Sequence, residues 1–227
     1  PRADGPREVL RVLMLTRDGA IDIRRAALCQ LRALIVSAPD GLREPLRALS
    51  RQALLRRCAG LRPQAHADPV MSASALALRV LARRVLAVSA EARELERAIH
   101  AQVARIAPAL LGELGIGPIN AARLLLSWSH PGRIHSEAAF ARLGGVAPIP
   151  ASSGQVVRHR LNRGGDRQLN YALHAIILVR KRADPATRAY IERRVSEGKS
   201  RRDATRCLKR FLARHIFRVL EATATDA

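Results

Sequence analysis

A run of apolar residues between Ser72 and Ile106 constrains the fold more than any other feature of this chain. Its apolar positions are separated alternately by three and four residues, over four heptads that contain no proline or glycine. This spacing places the side chains along one side of an α-helix, and a stretch of this length is typical of a coiled-coil seam. The seam positions are Leu78, Leu81, Val85, Val88, Ala92, Leu95, Ile99, Gln102 and Ile106.

Two interpretations of this helix remain open. A coiled-coil seam over residues 78–106 predicts that the protein is a homo-oligomer. The alternative is a long helix that packs on its own domain, which is favoured by the stretch 76–90, because that stretch is apolar on more than one face.

Helical spacing also dominates the rest of the chain, and no window alternates cleanly enough to predict a strand. Residues 6–37 predict one or two amphipathic helices that end before Pro39, and Asp40 is a candidate cap for a helix that ends near Gly60. The inward stripe of the first segment is predicted to be Ile23, Leu28, Leu31, Leu34 and Ile35. We therefore predict a mainly α protein, with a helical and coiled-coil region over residues 1–106 and a compact helical domain over residues 107–222.

The compact domain begins with the sequence "LGIGP", which lies between two apolar helical segments. This pattern predicts a helix-hairpin-helix, in which Gly115 and Gly117 allow a tight turn and a close approach of the backbone to a phosphate. A Gly-x-Gly-Pro sequence is also a good turn between any two packed helices, and that interpretation stays open.

Several polar residues are candidate helix starts in the second half of the chain, namely Ser136, Asp166, Asp184 and Ser200. Between the first two of these, Pro148 and Pro150 predict an extended path. That path places Ser152 and Ser153 on a loop. The last helix is predicted to be buried along the stripe Ala204, Cys207, Leu208, Phe211, Leu212, His215, Ile216, Val219 and Leu220.

Charge is the strongest global signal, since 40 lysines and arginines face 19 acidic residues and the net charge is +21. Residues 151–220 hold 18 of these basic residues and only 5 acidic ones. Such an imbalance favours a polyanionic partner, above all nucleic acid, although acidic lipid and the composition of a GC-rich genome are alternatives. No apolar run is long enough to span a membrane and no signal pattern is visible, so we expect a cytoplasmic, nucleoid-associated bacterial protein without a membrane partner. The widely separated Cys29, Cys58 and Cys207 predict reduced thiols and no zinc site.

Four sequence blocks, in this order and spacing, resemble the C-terminal domain of the insertion-sequence one-ten family of transposases, which are DNA recombinases guided by a bridge RNA. The blocks are "LGIGPINAARLL", "SEAAFARLGGVAPIPASSG", "RHRLNRGGDRQLNYALHAIILVRKR" and "GKSRRDATRCLKRFLARHIFRVL". They cover roughly residues 105–220, and residues 6–106 resemble the helical linker of the same family.

The resemblance implies that a serine just before the glycine of the Ser-Gly motif attacks a phosphate of double-stranded DNA. The nucleophile would be Ser153, with Ser152 as the second choice. A phosphoserine link conserves the energy of the cleaved bond, so that strands can be rejoined. The predicted DNA contacts, besides Gly115 and Gly117, are Arg158, His159, Arg160, Arg163 and Arg167. A guide RNA is a further partner by resemblance.

The chain departs from the family pattern in its acidic residues. Family members hold divalent metal through four carboxylates of an N-terminal nuclease-like domain, whereas Asp4, Asp18 and Asp22 lie in or beside helical linker sequence. We therefore expect that this domain is absent, that the chain itself binds no cofactor, and that Mg²⁺ acts only with the missing domain. The expected result is a truncated or partial protein that keeps DNA affinity and lacks strand cleavage.

Other interpretations stay open. Ser152-Ser153-Gly154 is also an ordinary turn sequence, and His159 is either a base or a phosphate contact. A tyrosine recombinase would use Tyr190 with the basic triplet 158–160, but the spacing does not favour that class. An RNA-binding structural oligomer leaves the hairpin and the serine block unexplained. The main alternative is a DNA-binding or dimerising remnant without catalysis, able to bind DNA ends or to compete with an intact recombinase.

Overall fold

The computed structural model describes residues 5–62, 68–150, 159–162 and 164–225. These residues form ten helices and a single two-stranded sheet, which confirms the mainly α prediction. Contacts along the chain define two compact units. We call residues 13–98 the linker unit, and residues 5–12 together with 99–225 the C-terminal unit; the two-domain division at residues 106 and 107 stays a prediction.

Four helices supply the linker unit, and two of them continue into the C-terminal unit. They are α1 (Gly5–Ser37), α2 (Asp40–Arg47), α3 (Arg51–Ala59) and α4 (Pro69–Ile106). The first segment is thus one helix. The single helix predicted after Asp40 is wrong, because the chain turns after Arg47 and Ser50 caps α3 by accepting a hydrogen bond from the Ala53 N–H at 3.4 Å. Asp40 is the first residue of α2, and its N-cap is Pro39.

The seam of α4 faces the core of the linker unit. Leu78 and Val85 are 0% and 1% exposed, and they belong to one apolar cluster with Leu31 of α1 and Leu55 of α3. The structure therefore shows the alternative interpretation, a long helix packed on its own unit. These seam side chains are already buried within one chain, so the predicted homo-oligomer draws no support from them and stays a prediction.

The inward stripe predicted for α1 is correct except at its start. Leu31 is fully buried, and Leu28, Leu34 and Ile35 pack against the same cluster. Ile23 is 51% exposed, so its assignment to the core was wrong. It lies eight residues before Leu31, which is two full turns and about 80° of further rotation, so its side chain points away from that of Leu31 around the helix axis.

Six helices and both strands complete the C-terminal unit. The helices are α5 (Pro108–Gly112), α6 (Pro118–Trp128), α7 (Glu137–Leu143), α8 (Arg167–Ala183), α9 (Pro185–Ser196) and α10 (Arg201–Thr225), and the strands are β1 (Pro148–Pro150) and β2 (His159–Leu161). Helix α10 contacts each of the five preceding helices, and α6 packs along α8. Large side chains with no exposed surface fill the space between them, namely Leu110, Leu124, Phe140, Leu169, Leu173, Ile176 and Ile216.

The buried stripe of α10 differs in part from the prediction. Ala204, Leu212, Ile216 and Leu220 are buried as expected. Phe211 is 52% exposed, contrary to the prediction, and its ring meets Tyr190 of α9 edge-on at 6.1 Å. The buried side is completed instead by Ala213 and Phe217.

Three predicted caps begin helices α7, α8 and α9. Ser136 caps α7 by accepting from the Ala139 N–H at 3.2 Å, and Asp166 and Asp184 cap α8 and α9 in the same way. Within the described ranges, no helix combines the length and the hydropathy needed to cross a membrane.

Candidate functional site

Residues 151–158, which we call the serine segment, lie in the sequence between the two strands of a small antiparallel sheet. Strand β1 pairs with β2 in the register Pro148 with Leu161, Ile149 with Arg160 and Pro150 with His159. The sequence predicted an extended path here but no strand pairing. Ser152, Ser153, Arg158 and Arg163 lie outside the described residues, and Pro150 and His159, which flank residues 151–158, are paired neighbours.

Glycine allows the chain after β2 to approach the end of α7. Gly165 has φ +107°, and a Cβ at this position would lie 2.4 Å from the backbone oxygen of Leu143. The next residue, Asp166, donates its N–H to that same oxygen at 2.8 Å. Only glycine permits both the conformation and the distance, so Gly165 fixes how the chain enters α8 beside the end of α7.

Asp166 connects three helices. Its Oδ1 accepts from the N–H groups of Gln168 at 2.8 Å and Leu169 at 3.1 Å, which caps α8. Its Oδ2 accepts from the buried Ser127 hydroxyl of α6 at 2.6 Å. Both carboxylate oxygens are thus engaged in holding the start of α8.

Asn170 joins the same region to α10. Its Nδ2 donates to the backbone oxygen of Gly144 at 2.7 Å, and its Oδ1 accepts from Lys209 Nζ at 3.3 Å. The amide therefore holds the end of α7, the first turns of α8 and a basic side chain of α10 together.

These contacts border an open cleft of about 1310 Å³, which we call the basic cleft. It is lined by residues 144–148, by 162 and 164–167, by one side of α8, and by residues 198–210 at the start of α10. Its basic side chains are Arg167, Lys181, Lys199, Arg201, Arg202, Arg206, Lys209 and Arg210. Against these eight stand two acidic lining residues, Asp166 and Asp203.

The charge of the basic cleft is poorly compensated. Asp203 accepts from the Ser200 hydroxyl at 2.6 Å and from Arg206 Nη1 at 2.9 Å. The Ser200 hydrogen bond and Arg206 hold the pKa of the Asp203 carboxyl below its usual value. Within the described part of the chain, no carboxylate lies within ion-pair distance of Lys199, Arg201 or Arg202.

Burial and neighbouring like charges both lower the pKa of two cleft residues. Burial, and then the nearby charge of Arg206, lower the pKa of Lys209. Burial, followed by Lys209 and Lys181, lowers the pKa of His174. An anion in the cleft would relieve the repulsion in both places, because it favours the charged forms.

Of the predicted DNA-contacting residues, the structure places Arg167 in the wall of the basic cleft. His159 and Arg160 lie in strand β2. Sequence reasoning counted the excess charge of residues 151–220 but missed the individual cleft residues at positions 181–210. The run "GKSRR" was the local signal for three of them.

The two hairpin glycines lie apart from the cleft lining as far as the structure describes it. Two helices, α5 and α6, do meet at the turn, and Gly115 has φ +85° there. A Cβ on Gly115 would lie 3.1 Å from the backbone oxygen of Ile176 in α8, while a Cβ on Gly117 would meet nothing within 4 Å. The first glycine thus serves helix packing, and phosphate contact by this turn stays a prediction.

Polar contacts hold that turn against two further helices. Arg180 donates to the backbone oxygen of Leu114 at 2.8 Å and to Glu113 at 2.9 Å. The other Glu113 oxygen lies 2.7 Å from His215 Nε2 of α10. The hairpin is therefore fixed to the helices that form the cleft.

Among the residues that the structure describes, no three His, Cys, Asp or Glu side chains come together as a metal site. The three cysteines are free thiols in α1, α3 and α10, as predicted, and burial raises the pKa of Cys58.

Comparison with known proteins finds similarity between part of this chain and proteins of insertion elements. Residues 108–192, which run from α5 to α9, match the model of the transposase IS116/IS110/IS902 family. This segment of the chain matches the family that the four sequence blocks resemble.

Two relatives illustrate how far the similarity extends. A 43.6 kDa protein of insertion element IS110 from Streptomyces coelicolor is 34% identical over 149 residues, which are 64% of this chain and 36% of the relative. A 42 kDa protein of insertion element IS900 from Mycobacterium paratuberculosis is 31% identical over 148 residues, covering 63% of this chain and 37% of the relative. The chain thus matches little more than a third of the length of either relative.

Proposed function

We propose that this chain is the DNA-binding part of an insertion-element transposase, and that the basic cleft holds the phosphate backbone of double-stranded DNA. The observation that carries the proposal is the set of eight basic side chains, which face two acidic residues already engaged in hydrogen bonds. The family match supports DNA as the polyanion. A cytoplasmic location beside the chromosome is part of the same proposal.

Backbone contact explains the composition of the cleft. Arginine and lysine neutralise phosphates without reading bases, so binding should be nearly independent of sequence and should fall steeply with salt. Sequence choice would then come from another partner, for which the family resemblance suggests a guide RNA. The eight basic residues form the phosphate track in this scheme.

Ser153 is the proposed nucleophile, with Ser152 as the alternative. In the step, the serine oxygen forms a bond to the phosphorus of the strand, the bond from phosphorus to the sugar oxygen breaks, and the serine proton passes to a base while the sugar oxygen leaves. Pro148 lines the cleft, and the flanking Pro150 and His159 are paired next to it. This arrangement supports a serine segment that starts and ends beside the phosphate track. Carboxylates that hold Mg²⁺ belong, by resemblance, to another domain or subunit.

A second candidate function is DNA binding without strand cleavage. It is favoured by the contrast between a cleft rich in phosphate contacts and the lack of a carboxylate cluster among the described residues. Such a chain would occupy DNA ends or compete with an intact recombinase.

Titration of labelled duplexes at increasing salt tests the phosphate track. Replacing Lys199, Arg201 and Arg202 by alanine should lower affinity at least tenfold and flatten the plot of log affinity against log salt by about 2–3, near 0.9 for each lost phosphate contact. The matched control removes three arginines from the linker unit, Arg56, Arg57 and Arg84, and should change affinity little. Equal effects of the two triple variants would refute a specific role for the cleft.

A covalent assay tests the serine. The chain is mixed with labelled duplex and Mg²⁺, with and without an intact family recombinase and its guide RNA, and protein attached to DNA is measured. Attachment that requires the recombinase and is lost in Ser153→Ala but retained in Ser152→Ala supports a nucleophile that borrows carboxylates. Salt-sensitive binding with no covalent product in any mixture supports the second candidate function instead.

A further inference from the structure

One aromatic side chain differs from the others in its position. The chain has six aromatic residues, three Phe, two Tyr and one Trp. Phe140, Trp128 and Phe217 are buried, and Tyr190 and Phe211 pack against each other. Tyr171 is 59% exposed and lines the basic cleft.

The Tyr171 ring is held in place on one face. The guanidinium carbon of Arg123, from α6, lies over the ring at 4.8 Å from its centroid. Of these two residues, Tyr171 borders the cleft and Arg123 does not, as far as the described lining extends. One face of the Tyr171 ring is therefore covered by the contact between α6 and α8, and the exposed remainder of the side chain borders the cleft.

The neighbour of Tyr171 along the helix is cationic. Arg167 precedes it by four residues, and side chains at this spacing lie next to each other on a helix, with Cβ atoms about 5–6 Å apart. Both residues are exposed at the cleft. A cation next to an open aromatic ring can contact both parts of one nucleotide, because the cation suits the phosphate and the ring suits an unstacked base.

We propose that Tyr171 is a stacking platform for an unpaired base, so that the basic cleft prefers DNA with a locally opened strand to an intact duplex. This inference rests on the proposed function, because the base reaches Tyr171 only when the backbone occupies the cleft. Aromatic residues make up only 3% of the chain, so stacking acts at one position while the cations hold the rest of the strand. In a transposase domain, this preference favours opened DNA ends or junctions.

Fluorescence of 2-aminopurine tests the proposal. One duplex carries the probe paired in an intact helix, and a second carries it in a short single-stranded gap of otherwise identical sequence. The parent protein should quench the gapped probe on binding and bind the gapped DNA at least fivefold more tightly, which is the lower end of what base stacking on an aromatic ring contributes. Tyr171→Phe should retain both effects, whereas Tyr171→Leu and Tyr171→Ala should lose them and still bind the intact duplex in a salt-dependent way.

Two outcomes overturn the inference in distinguishable ways. If the parent binds both DNAs equally, or if Tyr171→Ala keeps the preference, the stacking role is wrong while the phosphate track stands. If the parent binds neither DNA at low salt, the proposed function fails and the stacking role fails with it. Thermal unfolding of each variant at the parent temperature shows that any loss of preference is not a loss of fold.

Discussion

The linker unit and the C-terminal unit use the same abundant arginines in different ways. Residues 13–98 contain 15 basic and 8 acidic residues, whereas residues 151–220 contain 18 and 5. In the linker unit, some arginines pair with carboxylates, as Arg17 does with Glu96 at 2.7 Å and Arg25 does with Asp22 at 2.7 Å. In the basic cleft, most of the cations have no acidic neighbour among the described residues. The comparison teaches that a binding surface is indicated by cations gathered around one cleft with few carboxylates, and not by arginine content alone.

The two units also differ in what brings their backbones together. The linker unit closes on a stripe of leucine, valine and alanine with regular spacing. The wall of the basic cleft closes on Gly145 and Gly165, where a Cβ would lie against a backbone oxygen of another chain segment. The first kind of contact tolerates changes of shape better than the second, because a side chain can change rotamer and a backbone oxygen cannot move far.

The largest effect is expected for Gly165→Ala. The added methyl group would overlap the Leu143 oxygen, at about 1–3 kcal/mol, and the positive φ would cost about 1–3 kcal/mol more. Urea unfolding should show this loss, and hydrogen exchange should quicken in α7 and α8 before it does in α4. Gly112→Ala is the control, because a Cβ at this exposed helical position meets nothing within 4 Å. Equal stability of the two variants would show that the close approach is not required.

A smaller effect is expected in the linker unit for Leu78→Ala, at about 2–5 kcal/mol, since the side chain is fully buried and its removal leaves a cavity. Leu76→Ala, on the same helix but 44% exposed, should cost well under 1 kcal/mol. Sedimentation of both variants checks the seam at the same time. If Leu78→Ala stays fully stable but dissociates an oligomer, the seam joins two chains and the intramolecular packing is wrong.

The smallest effect is expected from acid. A hydrogen bond from Arg214, with the charges of Arg214 and Arg218, holds the pKa of the Glu137 carboxyl below its usual value. The stabilisation is therefore present above the usual glutamate pKa and is lost as pH falls through the lowered pKa of the folded protein. Glu137→Gln should be less stable than the parent at neutral pH and should lose less stability between about pH 5 and pH 3. Parallel urea midpoints of the two proteins across this range would contradict the role of the ion pair.

Much of the helical order followed from local chemistry that the sequence displays. Ser136, Asp166 and Asp184 cap helices where predicted, because a side-chain oxygen satisfies N–H groups only a few residues away. The spacing of apolar residues identified α4 and α8 for the same reason, since helical periodicity is a local property. The four family blocks, also present in the chain itself, resemble the transposase family whose model matches residues 108–192.

Tertiary structure alone decided the rest, because it depends on which distant residues meet. The apolar periodicity of α4 could not reveal whether its partner was a second chain or the Leu31 stripe of the same chain. Nor could the sequence show that Gly115 packs against Ile176, or that Phe211 remains exposed beside Tyr190. The sequence shows many basic residues, but only the fold shows that Arg167 and Lys181 of α8 line the same cleft as the basic residues at the start of α10.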